Sequence, residues 1–303
     1  MPRLRLSTLR YPTEVKRTLA PIAIIVVAMV SIQSGAALAK NLFPLVGAIG
    51  ATVLRLIFAA VILLLVWRPF GKSRAALLEH RRAVLLYGAS LGLMNVLFYL
   101  ALERIPLGLA VAFEFSGPLT LALVKSRRTL DFVWIVCAVS GLALLLPIAT
   151  SAPLDPIGVA FALGAGVCWA LYILTGQSVG SAMHGGVAVA LGMSVAALVV
   201  LPLGIVSVGR ELLSWEAARG ALGVAILSSA LPYSLEMYAL KRIPAQTFSV
   251  LMSIEPAIGA LSGLVFLREA LTPLQWTGIG LVMLASFGCA VLGRKTKPAP
   301  ELL

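Results

Sequence analysis

Two carboxylate side chains stand inside long apolar stretches of the chain. Glu114 lies between Phe113 and Phe115, and Glu255 lies in the run LMSIEPAIGALSGLVFL. A charged group in such surroundings costs free energy unless it faces a partner, a ligand or water. Both residues are therefore predicted to bind a cationic group of a substrate or to exchange a proton, which makes them the candidates for proton coupling. A structural ion pair is the alternative interpretation.

A proline follows each carboxylate. Pro118 lacks the amide hydrogen that would bond the carbonyl of Glu114, and Pro256 likewise frees the carbonyl of Met252. Each proline is predicted to kink its helix and to leave a spare acceptor near the middle of an apolar segment. A kink whose free carbonyl is satisfied by a neighbouring helix is the alternative.

Further polar and aromatic residues complete a candidate substrate site. A polar substrate at the membrane midplane needs hydrogen-bond donors and acceptors. Asn95 and Tyr99 are one helical turn apart and share a helix face. Besides the two carboxylates, the predicted substrate-binding residues are Gln33, Ser34, Asn95, Tyr99, Ser116, Trp169, Tyr172, Tyr233 and Ser253. Hydrogen bonding between helices, or a place at the membrane interface for the aromatic residues, is the alternative.

The other charges near apolar segments are predicted to be structural or solvated. Arg55 is expected to reach the interface by snorkelling or to form a structural pair. Lys40 and Glu236 lie near segment ends, where an interfacial position competes with a place in the site. Two pairs of neighbours in loops are expected to be solvated, namely Glu103 with Arg104 and Arg268 with Glu269.

The elements that carry these residues are membrane helices. The chain of 303 residues is 60% hydrophobic and 12% charged, with a mean hydropathy of +1.02, which leaves too little polar surface for a soluble globule. A bilayer core about 30 Å thick needs roughly 20 apolar helical residues. Ten spans are predicted, at residues 20–39, 46–67, 83–102, 107–124, 132–149, 157–177, 186–208, 220–239, 245–267 and 273–292.

The basic residues give the orientation of these spans. With both termini in the cytosol, the Lys and Arg residues concentrate on the cytoplasmic side, as the positive-inside rule requires. Only Lys40, Arg104, Arg210, Arg219 and Arg268 fall on the opposite side. The net charge of +12 is thus a topology signal, and a nucleic-acid partner is not expected. The first apolar segment is expected to stay in the membrane rather than to act as a cleaved signal peptide.

An internal repeat divides the chain. ALERIP at 101–106 returns as ALKRIP at 239–244, an offset of 138 residues that also places Pro118 on Pro256. Five spans per repeat require the second copy to enter the membrane from the opposite side, so the repeats are inverted. This is the architecture of transporters that work by alternating access. The predicted units are a basic cytoplasmic tail (1–19), two five-helix repeats (20–150 and 151–293) and a second cytoplasmic tail (294–303).

Several strings resemble a known family. EFSGPLTLAL, LGAGVCWALYILTGQ, ILSSALPYSLEM and SLGLMNVLFYLAL are similar to the EamA-like members of the drug/metabolite transporter superfamily, and among them to bacterial threonine and homoserine exporters. The resemblance implies an all-α protein with ten transmembrane helices in the bacterial inner membrane, and a central cavity lined by helices one, three, four, six, eight and nine. It also implies export of small neutral amino acids without ATP. Export of aromatic amino acids or another small metabolite, and a passive channel, are the alternatives.

Other functional classes lack their residues. The two histidines, His80 and His184, fall in loops, and no HExxH, GxSxG or phosphate-binding loop occurs. Cys137, Cys168 and Cys289 have no metal-ligand spacing. The sequence therefore predicts no enzyme, no cofactor and no metal site. The expected partners are an amino-acid substrate, the lipid bilayer and a proton as the candidate coupling ion, with the protein a monomer or a homodimer.

Overall fold

The computed structural model describes residues 11–69, 78–125, 131–145, 154–240 and 245–292, and every regular element in these residues is helical. Short 3₁₀ turns at Lys40–Leu42 and Gly209–Leu213 and a π-helical segment at Ile226–Ala230 join some of the α-helices. The α-helices are α1 (Tyr11–Ala39), α2 (Phe43–Trp67), α3 (Arg81–Leu102), α4 (Leu107–Glu114), α5 (Ser116–Lys125), α6 (Asp131–Leu145), α7 (Pro156–Ala182), α8 (Gly185–Ser207), α9 (Trp215–Ala225), α10 (Leu231–Leu240), α11 (Ala245–Met252), α12 (Glu255–Leu267) and α13 (Pro273–Leu292).

Helices occupy the positions of the predicted spans. α1 begins at Tyr11, nine residues before the predicted start of the first span, and ends at the predicted residue. Three predicted spans are interrupted: 107–124 consists of α4 and α5, 220–239 of α9, the π-helical segment and α10, and 245–267 of α11 and α12. Residues 146–149 of the fifth predicted span lie outside the described residues.

Six described stretches are long and apolar enough to cross a membrane. They are Ala20–Trp67, Arg81–Leu102, Pro156–Ala182, Gly185–Ser207, Val250–Leu267 and Pro273–Val291, with shorter apolar helices at Leu107–Leu121 and Phe132–Leu145. Large apolar side chains also cover the outer surface; Val206, for example, is 87% exposed. Apolar atoms on this scale face lipid in a membrane protein, so the fold is that of a multi-pass helical membrane protein.

Two of the three interruptions are turns that lie just before a proline. The turn at Phe115 separates α4 from α5, three residues before Pro118. The turn at Ser253 and Ile254 separates α11 from α12, just before Pro256. In the second turn the amide of Ser253 donates to the carbonyl three residues earlier, at 3.2 Å, so the helix tightens where proline cannot supply the next amide.

The helix bounds repeat at the same offset as the sequence. The helices before the two turns end 138 residues apart, α4 at Glu114 and α11 at Met252. The packing partners follow the same correspondence. α1 packs on α10 and α12, and its counterpart α7 packs on α3 and α5; α4 packs on α12, and α6 on α13.

Candidate functional site

Arg55 of α2 is the centre of a buried polar cluster. Its guanidinium donates through Nη1 to the hydroxyl oxygens of Ser228 and Ser229, at 3.1 and 3.3 Å, and through Nη2 to the side-chain oxygen of Asn95. The guanidinium carbon also lies 4.8 Å from the centre of the Tyr99 ring. Asn95 and Tyr99, predicted to share one face of α3, thus both contact the same arginine.

The environment of Arg55 differs from both interpretations of the sequence. The residue is buried in the protein interior, so snorkelling to the membrane interface is wrong. Among the described residues no carboxylate lies within ion-pair distance of its guanidinium. The charge is instead met by neutral hydroxyl and amide oxygens, because the π-helical segment brings two consecutive serines of the α9–α10 region toward α2.

Close packing against α1 holds this π-helical segment. A Cβ atom on Gly35 would lie 2.7 Å from the Cβ of Ser228, so only glycine lets α1 approach this closely. One turn earlier, Ser31 donates to the carbonyl of Leu227 at 2.5 Å. The amide of Asn95 is fixed on the other side of Arg55 by its bond to the carbonyl of Leu91, at 2.7 Å. The polar cluster is therefore held from three helices.

Glu255 and Gln33 form a second buried polar contact. Glu255 is the first residue of α12, directly after the helix interruption, and accepts a hydrogen bond from the Gln33 amide of α1 at 3.1 Å. Glu114 is the last residue of α4, directly before the other interruption, and is buried as well. Glu114 interacts electrostatically with both Glu255 and Arg55, so one positive and two acidic side chains share one region of the interior.

The carbonyl expected to serve as a spare acceptor at Glu114 is covered by a neighbouring helix. A Cβ on Gly166 of α7 would lie 2.5 Å from this carbonyl oxygen, and a Cβ on Gly117 would overlap the Gly166 backbone. α5 and α7 therefore meet backbone to backbone at the first interruption. The kink thus packs closely on a neighbouring helix at the Glu114 carbonyl.

Two of the predicted tyrosines, Tyr172 and Tyr233, form a neighbouring cluster with Tyr87 and Glu236. The hydroxyl of Tyr87 donates to that of Tyr172 at 3.2 Å, and their rings are stacked at 4.9 Å. Tyr233 interacts electrostatically with Tyr172, Arg55 and Glu236. Glu236 also interacts with the carboxylate of Glu255. Glu236 is thus partly buried beside the polar cluster.

Three of the remaining predicted site residues have side-chain contacts of their own. Ser116 donates to the Phe113 carbonyl of its own helix turn at 2.6 Å. Trp169 meets Phe115 edge to face at 5.7 Å. The hydroxyls of Ser253 and Ser286 are 2.8 Å apart. Ser34 is partly buried on α1.

The charges expected to be solvated neighbours pair across the structure instead. Lys40 contacts Glu269 at 2.7 Å, and the other oxygen of Glu269 accepts the Leu107 amide at 2.7 Å. Arg104 contacts Asp155 at 2.7 Å. Glu103, Arg104 and Arg268 are exposed, as expected of solvated charges. Arg104 and Glu269 nevertheless pair with distant residues rather than with their chain neighbours, because helix packing brings opposite charges within reach. The hydrogen bond from Arg104 lowers the pKa of Asp155, and the Ile157 amide lowers it further.

A cavity of about 460 Å³ lies away from the polar cluster. It is bounded by the first turns of α2, the end of α3 and the end of α8, with Gly47 and Glu103 among its lining residues. Gly47 has a φ of +65° within α2, a conformation that favours glycine. The cavity contains none of the predicted site residues.

The sequence analysis missed the position of Arg55 within the site. One signal was present, since Arg55 is the single charged residue of α2. The Ser228–Ser229 pair was a second signal, but it could not be connected to Arg55 without the π-helical register. Glu236 could have been associated with Tyr233 from their spacing, because residues three apart share a helix face.

A multi-pass helical bundle whose interrupted helices meet at buried charges is typical of a membrane transporter. Residues 156–291 match the EamA-like transporter family. The threonine/homoserine exporter RhtA of Escherichia coli strain K12 is 52% identical over 283 residues, which covers 93% of this chain and 95% of that protein. RhtA of Salmonella typhimurium strain LT2 is 51% identical over 276 residues, covering 91% and 92%. The chain belongs to the EamA-like family of drug/metabolite transporters.

A more distant relative agrees with this assignment, and a solved structure shares the fold. The uncharacterized transporter YwfM of Bacillus subtilis strain 168 is 28% identical over 214 residues, covering 67% of this chain and 71% of that protein. A solved crystal structure with 22% sequence identity matches the fold with a TM-score of 0.57, covering 92% of this chain and 99% of the other. The family expected from the sequence is confirmed, and the chain is a transporter rather than an enzyme.

Proposed function

We propose that this protein exports small neutral amino acids, threonine and homoserine among them, across the bacterial inner membrane by alternating access. The observation that carries the proposal is the 52% identity, over 93% of the chain, to a threonine/homoserine exporter. The buried cluster of Arg55, Glu114 and Glu255 supplies matching chemistry, because an amino-acid zwitterion carries charges of both signs.

The proposed architecture has ten membrane crossings in two inverted repeats. The stretch Ala20–Trp67 contains 48 residues, and a helix of that length would measure about 72 Å, more than twice the bilayer core. It is therefore counted as two crossings joined at Lys40–Leu42. Each interrupted pair, α4 with α5 and α11 with α12, counts as one crossing. Five crossings per half make the repeats, 20–150 and 151–293, antiparallel in the membrane.

α1 of the first half packs on α10 and α12 of the second, and α7 of the second half packs on α3 and α5 of the first. This reciprocal packing supports a pseudo-twofold relation between the repeats. Alternating access then follows from rocking one half against the other around the polar cluster. With both termini in the cytosol, the pair of Lys40 with Glu269 lies at the outer end. This pair and the Leu107 amide tie α1, α12 and α4 together there, and substrate release to the outside requires them to separate.

The proposed coupling ion is the proton. Glu114 and Glu255 are buried carboxyl groups at the two helix interruptions, and rocking of the halves changes their access to water. A carboxyl group with alternating access can take up a proton on one side and release it on the other. The chain has no phosphate-binding loop, so the proton gradient rather than ATP is the proposed energy source.

Efflux from proteoliposomes tests this function. Vesicles containing the purified protein are preloaded with radiolabelled threonine, homoserine or phenylalanine, and efflux is followed with and without a pH gradient. The proposal predicts saturable efflux of threonine and homoserine that a pH gradient accelerates. External unlabelled threonine should also exchange with the labelled pool by counterflow, which a channel does not do. Efflux of phenylalanine alone, or non-saturable efflux without counterflow, would contradict the proposal.

A further inference from the structure

Four buried polar atoms around the cluster have no hydrogen-bond partner among the described residues. Two are acceptors, Oε1 of Gln33 and Oε2 of Glu255, and two can donate, Nε of Arg55 and the hydroxyl of Tyr99, which can also accept. The side chains are 1–5% exposed, so bulk solvent does not satisfy these atoms. Elsewhere in the described residues, the indole nitrogen of Trp134 is the one other such atom.

The unpaired atoms are segregated by chemistry. Gln33 and Glu255 contact each other, which places both acceptors at the contact between α1 and α12. Arg55 lies over the Tyr99 ring, which places both donors between α2 and α3. The Tyr99 hydroxyl neighbours Ser228, whose own hydroxyl already donates to the Val224 carbonyl and accepts from Arg55. Each side of the cluster therefore offers one kind of hydrogen-bonding group.

The two sides are near each other because Glu114 interacts with both Glu255 and Arg55. A purely structural cluster would reduce its free energy by pairing Arg55 directly with one of these carboxylates. In the structure the Arg55 guanidinium donates its hydrogen bonds to neutral oxygens instead, and its Nε remains available as a further donor. A cluster with unmatched donors on one side and unmatched acceptors on the other is complementary to a dipolar ligand.

We infer that Arg55 and Tyr99 bind the α-carboxylate of the transported amino acid, while Glu255 and Gln33 bind its ammonium group. This assignment rests on the proposed function and adds the orientation of the substrate. Both charged ends of the ligand are recognised, and the amino-acid side chain is directed toward the rest of the cluster. Recognition of a whole zwitterion explains why the site holds charges of both signs that do not neutralise each other directly.

Three ligands and two conservative variants test the assignment. The ligands are threonine, threoninamide, which lacks the carboxylate, and 2,3-dihydroxybutanoate, which lacks the ammonium group. Tyr99→Phe removes one donor and retains the ring over Arg55. Glu255→Gln removes the negative charge and keeps an acceptor for Gln33. Affinities are measured with purified protein by competition against radiolabelled threonine, after size-exclusion chromatography has established that each variant is folded.

The assignment predicts that each variant loses affinity only for the ligands that carry the group it binds. Wild-type protein should bind each analogue at least about tenfold more weakly than threonine, because one pair of buried groups stays unpaired. Tyr99→Phe should weaken threonine by about tenfold and leave threoninamide nearly unchanged, while Glu255→Gln should weaken threonine and threoninamide but not the hydroxy acid. Arg55→Lys, which lacks Nε, is a third variant. Like Tyr99→Phe, it should weaken the binding of threonine and leave that of threoninamide nearly unchanged.

Two results would overturn the assignment. If wild-type protein binds threonine but the variants weaken all three ligands equally, the four groups are structural and the orientation is wrong, while the proposed function stands. If wild-type protein does not bind threonine, and neither threonine nor homoserine leaves the proteoliposomes, the proposed function fails and the assignment fails with it.

Discussion

The helix turns that precede Pro118 and Pro256 have similar backbones but different surroundings. The first turn lies at Phe115 and the second at Ser253 and Ile254, and the helices before them end at 114 and 252, which are separated by the repeat offset. The side chains do not repeat. The offset of 138 places Gly117 where the second half has Glu255, and Met252 where the first half has Glu114.

The difference follows from what each turn packs against. In the first half, Gly117 and Gly166 let α5 and α7 meet backbone to backbone. In the second half, the corresponding contact between α12 and α1 contains the hydrogen bond from Gln33 to Glu255. The first turn is tightly packed against the backbone of α7. The second turn has a polar contact whose Gln33 Oε1 and Glu255 Oε2 atoms have no hydrogen-bond partner among the described residues. A repeated fold thus separates a rigid contact from a candidate binding site.

Loss of proton coupling is the largest effect that this comparison predicts. Replacing Glu255 or Glu114 with Gln removes a buried carboxyl group and keeps its shape, so the stimulation of threonine efflux by a pH gradient should fall by about tenfold or more. Efflux from proteoliposomes at several pH gradients measures this. If both variants keep the rate and pH dependence of the wild type, the carboxylates are structural.

A methyl group at the first turn should destabilise the fold. The Cβ of Gly117→Ala would overlap the Gly166 backbone, which cannot move aside, so we expect a loss of about 1–3 kcal/mol in the free energy of unfolding. Gly180→Ala, in α7 with open space around it, is the matched control and should change stability little. Thermal unfolding in detergent measures both. Equal melting temperatures for the two variants would contradict the close contact.

An effect of similar size is expected where the ends of the two halves are tied together. Glu269→Ala removes both the partner of Lys40 and the acceptor of the Leu107 amide, at an expected cost of about 1–3 kcal/mol. Lys40→Ala leaves the amide bond intact and should cost at most about 1 kcal/mol, because the pair is partly exposed. The repeat offset pairs Lys40 with Ser178, so the equivalent position has no lysine.

Chemical unfolding of the two single variants and the double variant measures this difference. A larger loss for Lys40→Ala than for Glu269→Ala would show that the amide contact contributes nothing, and the account of this tie would be wrong.

The smallest effect concerns Asp155, which lies before α7. Arg104 lowers the pKa of Asp155 in the folded protein, so its contribution to stability is present above the unfolded-state pKa and is lost as the pH falls through the lower folded-state pKa. Asp155→Asn should therefore reduce the melting temperature slightly at neutral pH and not at all at acidic pH. Added salt should reduce the difference, because the pair is solvent-exposed. A difference that persists in strong acid would contradict this explanation.

Much of the fold followed from the sequence for identifiable reasons. Hydropathy located the helices because a bilayer imposes a minimum apolar length, and helix interruptions lie close to the two prolines that the sequence singled out. Asn95, Tyr99, Gln33, Glu114 and Glu255 were singled out as candidates because polar side chains are rare in such segments. Contacts between the halves were not accessible. Arg55 meets the two serines only through the π-helical segment, and the partners of Lys40 and Arg104 depend on how the helices pack.

Threonine counterflow tests the central claim most directly, because it reports substrate binding and translocation without a driving gradient. Wild-type protein, Glu255→Gln and the surface control Glu216→Gln would be compared in liposomes preloaded with unlabelled threonine. The account predicts rapid uptake of labelled threonine by the wild type and by Glu216→Gln, and a rate lower by about tenfold or more for Glu255→Gln. Equal counterflow by all three proteins would place the substrate elsewhere and contradict the account.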